Sequence, residues 1–290
     1  MTQNNFPDAG PLVGVDWVIA QIGKPNVVVL DASFVLPGGA ARNTPPQSLP
    51  GAWRFDLDIV KDPGSSLPHM LPPPDVFAEA CAARGIGPET LVVCYDAEGL
   101  AGAARCWWTF RTHGHDKVRV LNGGIDAWTK AGQALAAGAS RTPAASASTD
   151  RPAAPALARP SLVRNAEDVL AGLKSGQTIL DARSTGRFQG SEPEPRPGLR
   201  SGHMPGAKSL PTGSLLDPSG RWLLPKPDLE QRFAGLGGPE AAAIATCGSG
   251  MTASLIALAA AVLGNDKVAI YDGSWTEWGG RDELPVATGA

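Results

Sequence analysis

The stretch Ala241 to Gly264, AAAIATCGSGMTASLIALAAAVLG, holds the residue with the most explicit chemistry in this chain. An apolar strand runs into a cysteine, Cys247, followed by Gly248, Ser249, Gly250, Met251 and Thr252, and then by an apolar helix. A loop of that kind turns several backbone N–H groups and the positive end of a helix toward one point, which makes an anion site. Such a setting favours the thiolate, the reactive form of cysteine. The competing expectation is a cysteine buried as a small hydrophobe. Two glycines within three residues of Cys247 let the backbone close tightly, and neither helix nor strand packing requires them there.

Composition narrows the function classes. A chain of 290 residues has room for two domains, each with its own core. A formal charge of -3 leaves no basic footprint for nucleic acid or anionic lipid. Ala253 to Leu263 is the longest apolar run of note, about half of the roughly 20 residues a membrane span needs. The opening MTQNNFPDAG has neither the basic start nor the apolar stretch of a signal peptide, so a cytoplasmic location is expected. Cys81, Cys94, Cys106 and Cys247 form no C-x-x-C pair and have no histidine at metal-ligand spacing. No metal and no organic cofactor is expected, and the first three cysteines are read as core.

The elements that must present Cys247 come from an alternation of strand and helix. Trp17 to Ile22 reads as a short helix and NVVVLD at Asn26 to Asp31 as a buried parallel strand. A Gly/Pro-rich loop runs from Pro37 to Pro50. A helix over Pro72 to Gly85, a strand over Thr90 to Tyr95, a helix over Ala101 to His113, a strand over Val118 to Leu121 and a helix from Gly123 complete the unit. That order predicts a parallel sheet with helices on both faces.

From Ala134 to Pro160 the chain turns to Ala, Ser, Thr and Pro and reads as a linker. The second half then repeats the first. Val29-Leu30-Asp31 returns 150 residues later as Ile179-Leu180-Asp181, Pro50-Gly51-Ala52 returns as Pro205-Gly206-Ala207, and Asn122-Gly123 with Trp128 returns as Asp272-Gly273 with Trp278. The expected architecture is α/β, two tandem units over residues 1–133 and 161–290 joined by a linker over 134–160. The strand ending at Tyr95 aligns with the one ending at Thr246, so Asp96 stands where the repeat has Cys247. The first unit is therefore expected to be non-catalytic.

These fragments resemble the two-domain rhodanese-like sulfurtransferases, and within them the 3-mercaptopyruvate sulfurtransferase branch. The resemblance spans nearly the whole chain. It rests on C-G-S-G-M-T at Cys247 to Thr252, L-D-A-R at Leu180 to Arg183, G-R-F at Gly186 to Phe188 and E-P-E-P-R at Glu192 to Arg196. It continues in G-H-M-P-G-A at Gly202 to Ala207 and Y-D-G-S-W-T-E-W-G at Tyr271 to Gly279. The first half adds F-D-L-D at Phe55 to Asp58, H-M-L-P at His69 to Pro72, and Gly99 to Phe110 with its paired tryptophans.

The resemblance implies that sulfur passes from a small-molecule donor to Cys247 as a persulfide, cradled by the N–H groups of Gly248, Ser249, Gly250, Met251 and Thr252. Thiosulfate-using relatives carry basic residues after the cysteine, whereas Gly248 and Ser249 are neutral and suit a monocarboxylate such as 3-mercaptopyruvate. Arg187 and Arg196 are expected to hold the donor carboxylate and the enolate of departing pyruvate. Their alternative is surface pairing with Glu192 and Glu194. The family pattern also implies a relay of Ser249, His69 and Asp58 for proton supply, with the site between the domains. His203 is expected to fix a turn, Arg183 to pair with Asp181, and Asp272-Gly273 with Trp275 and Trp278 to serve turn and packing. One of Trp107 and Trp108 is expected in the core and the other at the domain contact.

Two departures stand out: Met251 replaces a valine usual in the family, and Ser48 to Ala52 lacks the histidine usual before Pro-Gly-Ala. Cysteine phosphatases share the fold, but their longer loop ends in an arginine, and here Ala253 and Ser254 follow Thr252. A thiosulfate:cyanide sulfurtransferase and a non-catalytic sulfur carrier or regulatory binding module are the remaining alternatives. The expected acceptor is a thiol, possible forms being a thioredoxin-like dithiol or a small thiol, with cyanide also compatible. The expected state is a monomer.

Overall fold

The computed structural model describes residues 10–36, 47–143 and 157–289. They divide into two compact units. One holds the described residues up to Pro63, those of Leu71–Arg159, and Arg221–Leu223; the other holds Gly64–Met70, Pro160–Gly220 and the described residues from Leu224 onward.

The first unit runs β1 (Leu12–Val13), α1 (Val15–Gln21), β2 (Val27–Asp31), β3 (Gln47–Ser48), β4 (Trp53–Arg54), α2 (Pro74–Ala82), β5 (Leu91–Tyr95), α3 (Ala101–Thr112), β6 (Val118–Leu121), α4 (Gly124–Lys130) and β7 (Ala136–Ala137). Its main sheet has the order β1-β6-β5-β2-β4, every pair parallel. Side chains alternate across β5. Val93 and Tyr95 join a core with Val18 of α1 and Ile125 and Trp128 of α4. On the other face the Cys94 thiol touches that of Cys106 on α3 at 3.2 Å, and Phe110 of α3 meets Phe77 of α2 edge-on, centroids 4.9 Å apart. Helices thus cover both faces, as the alternation of elements predicts.

The second unit runs β8 (Val163–Arg164), α5 (Ala166–Ser175), β9 (Thr178–Asp181), α6 (Thr185–Gln189), β10 (Lys208–Ser209), α7 (Lys226–Ala234), β11 (Ala242–Thr246), α8 (Ala253–Val262), β12 (Ala269–Tyr271) and α9 (Ser274–Trp278). Its parallel order, β10-β9-β11-β12-β8, is the first sheet's order strand for strand when read from the other edge. Duplication is therefore visible in topology as well as in sequence. α5 starts cleanly because Asn165 and Asp168 form a reciprocal capping box, and it stops at Gly176, whose φ of 75° suits glycine. α8 is buried on nearly every side, and its alanines allow close packing. Trp275 and Trp278 anchor the core beside α5, their indole N–H groups donating to the Arg200 and Pro285 carbonyls at 2.9 and 2.8 Å.

The expected linker needs correction at both ends. Ala136–Ala137 pairs antiparallel with Gln47–Ser48, the Ser140 hydroxyl donates to Asp31 at 2.6 Å, and the Arg141 guanidinium lies over Trp53 at 4.1 Å. At the far end Arg159 grips Asp116 through both Nη atoms. Small side chains gave no periodic signal there, yet the backbone and two polar residues bind firmly. Residues 37–46 of the expected Gly/Pro loop and 144–156 of the linker lie outside the described residues. The segments Gly64–Met70 and Arg221–Leu223 also belong to units other than the ones the expected boundaries give them. Among the described residues, no helix is long and apolar enough to cross a membrane.

Candidate active site

β11 is a central strand of its sheet and ends at Thr246, so Cys247 emerges at the carboxyl edge of the sheet, where open α/β folds bind ligands. The six-residue loop to α8 is held from outside by the start of α9. Ser274 Oγ accepts the N–H groups of Cys247 and Gly250 at 3.3 and 3.0 Å and donates to the Tyr271 carbonyl at 2.8 Å. The Trp275 N–H donates to the Cys247 carbonyl at 2.9 Å, and the Thr276 N–H to that of Gly248 at 2.9 Å. The Thr276 hydroxyl reaches the same Gly248 carbonyl at 2.6 Å. Gly250 has φ 76°, a value that favours glycine. The N–H groups of Gly248, Ser249, Met251 and Thr252 donate to no acceptor among the described residues. Four donors of the loop thus remain for an anion, while that of Gly250 is drawn to Ser274.

Two non-glycine residues among those described adopt left-handed backbone, His69 at φ 59° and Ser274 at φ 49°. Both hydrogen-bond the Cys247 loop. The His69 Nδ1 lies 2.9 Å from Ser249 Oγ, and His69 and Ser249 are each buried. Left-handed backbone outside glycine costs about 1–3 kcal/mol and clusters where function demands it. The repeat supplies a control: Gly124, 150 residues before Ser274, has the same φ of 49°. The first unit meets the bend with glycine, whereas the second spends strain to place a hydroxyl under the cysteine loop.

Arg187 and Arg196 converge beside Gly248. A Cβ built there would lie 3.1 Å from Arg187 Nη2 and 3.9 Å from Arg196 Nη1, so the hydrogen side chain leaves room for the guanidinium groups. Arg187 is positioned by α6, whose N-cap Ser184 accepts the Arg187 N–H. It pairs with Glu194 at 2.5 Å, and Glu194 also takes Arg183 at 2.7 Å. Arg183 in turn pairs with Asp181 at 2.6 Å and lies over the Trp275 ring at 4.0 Å. Burial lowers the Arg183 pKa, but the neighbouring carboxylates outweigh it and raise the value overall. The Glu194 side chain is 2 % exposed, so the expected alternative of surface pairing becomes a ladder with buried inner members that ends on the partly exposed Arg187. Glu192 is engaged elsewhere, accepting from Ser184 at 2.8 Å. Arg196 has no hydrogen-bond or ion-pair partner among the described residues.

The first unit shows the same loop filled. Asp96 is buried, and its carboxylate accepts the N–H groups of Glu98, Gly99 and Gly102 at 2.7, 3.2 and 2.9 Å. Burial pushes its pKa up to about 6 against the downward pull of those donors. The Ile125 N–H meets the Asp96 carbonyl at 3.4 Å, matching Trp275 on Cys247. A loop lined by N–H groups is therefore common to both units, and in the first its acceptor is the chain's own carboxylate.

The remaining expected residues fall as follows. Asp58 lies exposed in the turn after β4 and belongs to the first unit; its N–H donates to Asp56 at 2.9 Å. Met251 is buried at 1 % exposure. His203 donates from Nδ1 to the Phe188 carbonyl, 2.8 Å away, and stacks on the Phe188 ring, a structural role. Trp107 and Trp108 are both buried, each under an arginine. Ser274, Thr276 and Glu194 are the residues that sequence reasoning undervalued. Their only signal was membership of the S-W-T and E-P-E-P-R fragments, read as packing and surface pairing. Among the described residues no His, Cys, Asp or Glu cluster could hold a metal ion.

Two parallel α/β units of one topology, one presenting a cysteine on an N–H-lined loop and the other a carboxylate, define a duplicated fold with a single cysteine centre. The profile of the rhodanese-like domain matches residues 14–131 and again residues 165–281, and the chain belongs to that family. It is similar to 3-mercaptopyruvate sulfurtransferase of Escherichia coli (strain K12), 38% identical over 280 residues that cover 94% of this chain and 96% of that protein. The mitochondrial thiosulfate/3-mercaptopyruvate sulfurtransferase 1 of Arabidopsis thaliana is 39% identical, covering 95% of this chain and 78% of the relative. Among solved structures, SseA of Escherichia coli, described as a 3-mercaptopyruvate sulfotransferase, superposes with a TM-score of 0.76 at 34% identity, over 92% of this chain and 99% of that one.

Proposed function

We propose that this protein is a 3-mercaptopyruvate sulfurtransferase that carries sulfur as a persulfide on Cys247. The observation that supports the donor is the meeting of two guanidinium groups at Gly248, beside a loop whose own side chains are small and neutral. A monocarboxylate with a neighbouring carbonyl fits that fork.

In the first half-reaction the Cys247 thiolate attacks the donor sulfur, the sulfur–C3 bond breaks, and its electron pair passes into the enolate of pyruvate. The proton of the donor thiol ends on C3, so pyruvate leaves and Cys247 holds a persulfide anion. Ser249 and His69 are proposed to carry that proton, with Asp58 as the carboxylate partner of the histidine. Arg196 takes the carboxylate, and Arg187, aimed by Glu194, faces the developing enolate oxygen. The N–H groups of the loop hold the thiolate before transfer and the persulfide after it. In the second half-reaction an acceptor thiolate attacks the outer sulfur and frees Cys247.

The first unit is proposed to do no sulfur chemistry, its loop being filled by Asp96. A cytoplasmic setting, a thioredoxin-like acceptor and a monomeric chain belong to the same proposal; four free cysteines suit a reducing compartment.

The test is pyruvate release from 3-mercaptopyruvate with a dithiol acceptor, beside cyanide-dependent turnover of thiosulfate, for the wild type and Cys247→Ser. The expected result is a strong preference for 3-mercaptopyruvate that the substitution abolishes. Preference for thiosulfate would overturn the assignment of donor, and retention of pyruvate release by Cys247→Ser would overturn the mechanism.

A further inference from the structure

We propose that Thr276 is a positioning residue that sets the orientation of the Cys247 loop through its side-chain hydroxyl; this rests on the reading of Cys247 as a thiolate nucleophile.

The carbonyl of Gly248 accepts two hydrogen bonds from one residue, the Thr276 N–H at 2.9 Å and its hydroxyl at 2.6 Å. Next to it, the Cys247 carbonyl accepts the Trp275 N–H at 2.9 Å. Both peptides of the loop's first turn are thus gripped by their oxygen atoms. No cis peptide occurs among the described residues, and in a trans peptide the N–H points opposite to the C=O. Holding the two oxygens on the α9 side turns the N–H groups of Gly248 and Ser249 to the opposite side of the loop. Those two N–H groups have no protein acceptor among the described residues. They are the ones an anion on Cys247 needs.

The backbone bonds from Trp275 and Thr276 are available to any residue at those positions, but the second bond to Gly248 requires a hydroxyl. The first unit has aspartate, Asp126, at the corresponding place and an arginine on the corresponding carbonyl, Arg221 Nη1 lying 2.8 Å from the Ala97 oxygen. Each unit therefore adds a side-chain donor to this carbonyl, and in the second unit Thr276 is that donor. With the hydroxyl removed, the Gly248–Ser249 peptide keeps one bond and gains freedom to rock. The loop then holds a less ordered set of donors for the same charge.

The experiment uses the full chain as Thr276→Val, which keeps shape and removes the hydroxyl, and as Thr276→Ser, which restores it. Iodoacetamide alkylation of Cys247 is followed across pH, with the site confirmed by peptide mass. For Thr276→Val the rate at neutral pH falls about fivefold, the size of one ordinary hydrogen bond, and the profile moves to higher pH. Thr276→Ser returns to the wild-type profile. A Thr276→Val profile that superimposes on the wild type in a protein of unchanged thermal midpoint overturns the proposal, as does failure of Thr276→Ser to restore the rate. Alkylation needs no donor, so this outcome is separate from the assignment of 3-mercaptopyruvate.

Discussion

At Gly248 and Ser274, single atoms decide how the cysteine loop works. Gly248 is needed for space, since a Cβ there presses on Arg187 Nη2 at 3.1 Å. That contact is with the end of a flexible side chain, so Gly248→Ala is expected to fold normally and to raise KM for the donor roughly fivefold with little change in kcat. Steady-state kinetics check it. Ser274 carries the opposite trade, accepting left-handed backbone to put its oxygen under two loop N–H groups. Ser274→Gly relieves the strain and loses the hydroxyl, whereas Ser274→Ala keeps the strain and loses it too. Ser274→Gly is therefore expected to be more stable than Ser274→Ala by about 1 kcal/mol, while both lose most of their sulfur-transfer rate. Urea unfolding beside activity separates the two effects.

Among the elements, β11, α8 and α9 divide the labour. β11 and α8 were legible in the sequence because a buried parallel strand and a buried helix both write continuous apolar runs, and the glycines between them mark the loop. α9 was legible as a turn with tryptophans, but its grip on the loop was not. The bonds from Ser274, Trp275 and Thr276 reach backbone carbonyls and amides of loop residues 24 to 28 positions away, and such contacts leave no trace in side-chain pattern. α6 and the Glu194 segment behave alike. Their ladder, Asp181 to Arg183 to Glu194 to Arg187, is sealed from water at its inner members. Removing one buried partner strands the other charges, so Glu194→Ala is expected to cost about 3–5 kcal/mol. Glu194→Gln, which keeps the shape, is expected to fold and to show its effect mainly as weaker donor binding. Thermal midpoints and KM values for the pair distinguish these outcomes.

Across the whole molecule the duplication has divided one design into two uses. The second unit leaves four N–H groups of its loop without an acceptor among the described residues, and the first closes its loop on Asp96 at a measurable cost. Asp96 has its pKa raised from 3.8 to about 6. Between those values the folded state keeps a proton that the unfolded chain releases, so this group makes stability fall as pH rises through the window. The full penalty, on the order of 3 kcal/mol, is in place above the upper value. Asp96→Asn is expected to remove that component, and the difference in urea midpoint between wild type and variant is expected to change sign or shrink from pH 7 to pH 4.5. A difference independent of pH would show that the carboxylate is not held as described.

The amino-acid sequence by itself determined which cysteine follows a buried strand on a glycine-bearing loop, that the chain is a duplicated parallel α/β fold, and that Asp96 stands at the matching place in the other copy. These are properties of local pattern, repeated spacing and short motifs, which the linear chain records directly. The tertiary structure alone decided that the first part of the expected linker is a paired strand of the first unit. It also decided that His69 belongs with Ser249, that Glu194 is buried and aims Arg187, and that Ser274 and Thr276 hold the cysteine loop. Those outcomes depend on where the path of the chain brings distant backbone groups within hydrogen-bond reach. Spacing along the sequence carries no information about that path until the core has packed.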